Sequence, residues 1–117
     1  MIDSLTPLGL HLASPAAVTA LIDTGAHTSV LNPEIVQHLA LRSVGAAPIN
    51  TPSTLTPLLC NRFHINIYFP DGFVVENLFV IEAPMGGVPY QCLIGRDVLR
   101  VATLMYEGRR NQFSLTF

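Results

Sequence analysis

Hydrophobic positions along this chain change their period several times, and each change marks an element. Ala17 to Ile22 is apolar and partly β-branched and stops at Asp23-Thr24-Gly25, which predicts a strand ending in a turn. Thr28 to Leu31 predicts a second, shorter strand. Asn32-Pro33-Glu34 then has the form of a helix start: Asn caps, Pro suits the first helical position, and Glu suits the positive end of the dipole. Ile35, Val36 and Leu39 supply the apolar stripe of a short amphipathic helix that ends near Ala40. Val44 to Pro57 holds Pro48, Pro52 and Pro57 and no charge, which predicts an exposed loop or hairpin rather than a central strand. Leu58 to Phe69 resumes strand character, with clean alternation from Phe63 onward. Pro70-Asp71-Gly72 predicts a tight turn into a partner strand over Phe73 to Ile81. A loop over Glu82 to Tyr90 leads to a short buried strand, Gln91 to Ile94, which ends at Gly95. Arg96 to Ala102 has helical spacing, and Thr103 to Tyr106 with Gln112 to Phe117 predicts a last hairpin. The sum is roughly six to eight short strands and two short helices in a mostly β barrel or sandwich.

Composition narrows the class. A chain of 117 residues is one domain, taken here as 1–117, with room for a single core. It is 50% hydrophobic and 12% charged, which excludes disorder and is apolar enough that a partner chain is expected to cover part of the surface. The net charge of −2, with no basic block longer than Arg109-Arg110, argues against nucleic acid. No apolar run approaches the roughly 18 residues that would span a membrane. Met1 to Leu12 carries Asp3 and no basic segment, unlike a secretory signal. Cys60 and Cys92 are isolated and read as buried free thiols, which suits a reducing, cytoplasmic compartment. His11, His27, His38 and His64 share no metal-ligand spacing, so neither metal nor other cofactor is expected.

Candidate chemistry concentrates in two places. In Asp23-Thr24-Gly25-Ala26 a carboxylate stands at the end of an apolar strand, where a small turn can aim it into a cleft. Gly25 permits close approach of another backbone, and Thr24 offers a hydroxyl to a main-chain carbonyl. Leu93-Ile94-Gly95-Arg96-Asp97 is an apolar pair, a glycine and a helix start. A strand over Leu93 and Ile94 is expected beside the Asp23 loop, with Gly95 leaving room for it. Asp71 sits in a hairpin turn, and Asp97 opens the last helix, where its charge suits the dipole.

These two motifs, in this order, resemble the retropepsin family of single-domain aspartic proteases. The family carries an apolar-apolar-Asp-Thr-Gly-Ala strand and, late in the domain, an apolar-apolar-Gly-Arg-Asp/Asn turn into a helix. The resemblance runs from Ala17 to Phe117 and is nearest to cellular and bacterial members. It implies a closed, barrel-like acid protease fold, a homodimer, and a peptide or protein substrate. It implies catalytic roles for Asp23, Thr24 and Gly25, with Thr24 bracing the turn across a two-fold axis. Substrate contacts would then fall to Ala26, His27, Val30 and Ile94, and to Ser53, Thr54 and Leu55 of a flap over Ile49 to Leu58, with Leu93, Gly95 and Arg96 supporting the site. Two departures stand out: the flap segment has no glycine, and His27 occupies a position where retroviral members carry an Asp that can pair with the later arginine. A catalytically silent dimerisation or peptide-binding module remains the alternative reading.

Overall fold

The computed structural model describes residues 15–49 and 58–117. Eight strands and two α-helices follow in the order β1 (Ala20–Ile22), β2 (Val30–Leu31), α1 (Pro33–His38), β3 (Ala46–Ile49), β4 (Leu58–Tyr68), β5 (Val74–Glu82), β6 (Cys92–Ile94), α2 (Arg96–Leu99), β7 (Thr103–Glu107) and β8 (Gln112–Thr116). Strands β1 to β6 form one sheet in the order β1-β6-β2-β5-β4-β3. β6 lies between β1, to which it is parallel, and β2, to which it is antiparallel. β2 is in turn parallel to β5.

The expected local chemistry builds most of these elements. Asn32 caps α1 by accepting the Glu34 N–H at 2.6 Å, and Pro33 opens the helix. The helix closes with bonds from the Ala40 N–H to Gln37 O and from the Leu41 N–H to Val36 O. That Schellman pattern needs a left-handed residue, here Ala40 at φ 53°. Pro70-Asp71-Gly72 makes its turn with Gly72 at φ 98°, and the Asp71 carboxylate accepts the Phe73 N–H at 3.0 Å. The β4–β5 register shifts between Ile65 and Ile67, where Asn77 at φ 53° donates its N–H to the Asn66 side chain.

Alternation along β4 and β5 sets the core. Phe63 lies opposite Val80, which is fully buried, and Ile65 lies opposite Leu78. Leu31, Val36, Cys92, Ile94 and Val98 complete the buried cluster. Phe117 closes one end by stacking on Phe73, with ring centroids 4.0 Å apart.

Two expectations change. The sheet is open, running from β1 at one edge to β3 at the other, and β7 and β8 pair only with each other, so the described strands form no closed barrel. Pro48 lies in β3, an edge strand of a hairpin with β4, in keeping with the expected hairpin, since an edge strand needs no second set of donors. α2 stops at Leu99, and the chain to Ala102 continues in tighter turns, with Val101 and Ala102 bonding three residues back. The flap positions Ser53, Thr54 and Leu55 lie outside the described residues. No helix among the described residues is long and apolar enough to cross a membrane.

Phe63→Ala is expected to lower folding stability by about 3–5 kcal/mol, because it leaves a cavity against fully buried Val80. Urea denaturation followed by circular dichroism measures the loss.

Candidate active site

Asp23 follows β1 directly. Its N–H donates to Ile94 O at 2.9 Å, which carries the β1–β6 ladder one residue further. Its carboxylate oxygen Oδ1 accepts the Gly25 N–H at 2.9 Å, and its carbonyl accepts the Ala26 N–H at 3.2 Å. The half-buried acid is therefore pinned at the backbone and held at one oxygen, while Thr24 and Gly25 stand exposed. A Cβ on residue 25 would sit 3.3 Å from Asp23 Oδ1, so any side chain there would press on the carboxylate.

The other motif packs against this turn. The Arg96 N–H donates to Ala26 O at 2.8 Å. A Cβ on Gly95 would lie 2.9 Å from Ala26 O and 2.9 Å from the Thr28 carbonyl carbon, both of them backbone. Glycine is required here by space rather than by φ.

The strongest link between the motifs uses two residues whose role here the sequence did not disclose. Ser29 has no exposed surface. Its N–H donates to Asp97 Oδ2 at 2.9 Å and its hydroxyl donates to Asp97 Oδ1 at 2.7 Å. The same hydroxyl accepts the Gly95 N–H at 2.9 Å, and Asp97 also accepts the Val98 N–H. Asp97 thus does more than complement a helix dipole: it ties α2 to the loop that carries Asp23. The available signal was a serine inside the short expected strand Thr28 to Leu31, since a hydroxyl buried there demands a partner.

The remaining candidates divide between core and surface. Ile94, 2% exposed, packs into the core and not into a cleft. Leu93 is half-buried and pairs with both Leu21 and Val30. The Arg96 side chain is exposed and has no carboxylate partner among the described residues. Ala26, His27 and Val30 line a groove of about 1010 Å³ that continues across the sheet past Phe79 and Ile81. Both cysteines are free and buried, and burial, helped by the nearby Asp97 charge, pushes the Cys92 thiol up to about 11.

No protein-family model and no curated protein matches the chain. Among solved structures, one described as a retropepsin-like aspartic protease from Rickettsia conorii superposes with a TM-score of 0.55 at 16% identity, covering 82% of this chain and 70% of that one. The fold is retropepsin-like. At that identity the likeness speaks for the fold, and the chemistry rests on the residues themselves.

Gly95→Ala is expected to destabilise the protein by about 1–3 kcal/mol, since the new methyl meets backbone that cannot step aside; thermal unfolding reads the shift. The raised Cys92 pKa has a definite sign. Its contribution to stability is fully present below the ordinary thiol value of 9.0 and is lost as pH rises toward about 11. Thiolate absorbance of a Cys60→Ala variant should show Cys92 titrating only in that alkaline range, and titration near 9 in the folded state would contradict the burial described.

Proposed function

We propose that this protein is an aspartic endopeptidase that works as a homodimer, with Asp23 of each copy forming the catalytic pair. The observation that carries the proposal is the Asp23 turn: an acid at a strand end, fixed by Ile94 O and the Gly25 N–H, in a retropepsin-like fold. Among the described residues one chain brings only one such acid. Asp71 lies in the β4–β5 turn, and the Asp97 carboxylate is taken up by Ser29 and Val98. An isologous two-fold contact sets a residue against its own copy and so supplies the second carboxylate.

The chemistry follows from that pairing. Two carboxylates roughly 3 Å apart do not both ionise, so the pair holds one proton at mildly acidic pH. The ionised member takes a proton from water, and the protonated member polarises the scissile carbonyl. Water attacks that carbon directly to give a tetrahedral intermediate, the proton taken from water passes to the amide nitrogen as the C–N bond breaks, and no covalent acyl-enzyme forms. Gly25 keeps the carboxylate clear of side chains, and Thr24 is assigned to bracing the two turns against each other.

The ribbon of β7 and β8 favours a dimer. A two-stranded ribbon is marginal in water unless its apolar face is covered. Here Leu104 and Leu115 are half-buried, while the next cross-strand pair on the same face, Tyr106 and Phe113, is 72% and 55% exposed. A second copy lying on this pair is the cover proposed.

Asp23→Asn is expected to abolish cleavage of a diverse peptide library at mildly acidic pH while leaving the sedimentation of the protein unchanged. Tyr106→Glu with Phe113→Glu should shift the protein to monomer and lower activity at least tenfold, with the fold intact by circular dichroism. An unmodified protein that sediments as a monomer at every concentration, or that cleaves no peptide, would overturn the proposal.

A further inference from the structure

The groove beside the Asp23 turn has a charge pattern that the reaction itself does not need. Its floor is the outward face of β2 and β5, where Val30, Phe79 and Ile81 lie, and Gly25 to Thr28 form the wall nearest the candidate acid. Arg62 and Arg100 also line it. Neither has a carboxylate within ion-pair distance among the described residues.

Arg62 is held in place. Its backbone N–H donates to Gly45 O and its carbonyl accepts the Val44 N–H, which fixes the strand on the β3 side. Its guanidinium lies over the Phe79 ring, 4.3 Å from the centroid, and His64 meets the same ring edge-on. A cation stacked on an aromatic face keeps its in-plane donors free for a carboxylate and loses little conformational freedom on binding one.

Two acids also border the groove, and neither answers this charge. Asp97 spends its oxygens on the Ser29 N–H, the Ser29 hydroxyl and the Val98 N–H. Glu76 stands five positions along β5 from Ile81, the register partner of Arg62, which is roughly 16 Å at the rise of a strand. The stretch of the groove at Val30, Phe79 and Ile81 is therefore apolar along its floor and positive at Arg62.

We infer that this groove is a specificity site for an acidic side chain of the peptide substrate, with Val30, Ile81 and Phe79 supporting its methylenes and Arg62, assisted by Arg100, receiving its carboxylate. The inference rests on the peptidase reading for the identity of the bound peptide, but its test does not depend on cleavage.

Fluorescently labelled extended peptides carrying Glu, Gln or Lys in turn at each position serve as probes, titrated into the Asp23→Asn protein by anisotropy. At one position Glu should bind about tenfold more tightly than Gln, as expected for a charge-assisted bond in a partly enclosed groove. Arg62→Gln should erase that difference, Arg62→Lys should keep part of it, and Arg62→Glu should turn the preference toward Lys. In the active protein the same preference should appear in KM rather than kcat. Equal binding of Glu and Gln at every position, a preference for Lys in the unmodified groove, or a Glu preference that survives both Arg62→Gln and Arg100→Gln would overturn the inference. Cleavage without any Glu preference removes the groove reading alone. A Glu preference dependent on Arg62 in a protein that cleaves nothing removes the peptidase reading alone.

Discussion

The architecture around the candidate acid depends on one buried polar contact, the pairing of Ser29 with the Asp97 carboxylate. A hydroxyl with no solvent contact must find partners inside the protein, and a carboxylate drawn inward must be met by donors. Both needs are met at once, and the Gly95 N–H joins the same network. The consequence is positional. The loop from Asp23 to Ser29 and the turn from Ile94 to Val98 behave as one unit, and the acid is placed by a part of the chain far from it in sequence.

Packing reinforces this unit from both sides. β6 is only three residues long, yet it bonds to β1 on one flank and to β2 on the other. Ile94 contributes its carbonyl to the Asp23 N–H and its side chain to the core. The residue that steadies the acid's backbone is thus buried among Leu31, Val36 and Val98, and a loosened core would be felt at the turn. Gly95 permits the arrangement because backbone from the Asp23 loop occupies the space a side chain would need.

Much of the local structure was legible in the sequence. Asn32-Pro33-Glu34 announces its helix, and Pro70-Asp71-Gly72 its turn, because capping and turn chemistry act over a few residues. The Asp23 and Gly95 motifs were legible for the same reason, as each is a short pattern with a local steric meaning. The strand order was not, because nothing in the three-residue run Cys92–Ile94 states that its neighbours are Ala20–Ile22 and Val30–Leu31. Ser29 and Asp97 were hidden because each has an ordinary local reading, a polar residue in a strand and an acid at a helix start. Pro48 spoke against a central strand, and the sheet order agrees by putting β3 at an edge, though which edge was not legible. The open sheet also escaped, since closure depends on partners that periodicity does not name.

The parallel pairing of β1 with β6 has a bearing on how the protein is made. Among the described residues β1 pairs with the sheet only along β6, and the two strands lie far apart in sequence. Contacts that close so long a loop form late, because their entropy must be met before they return any stabilisation. During synthesis the Asp23 turn emerges before Ile94, whose carbonyl its N–H must reach, has left the ribosome. The acid acquires its geometry only once Ile94 is in place to accept its N–H, so its placement is tied to the completion of a distant strand pairing.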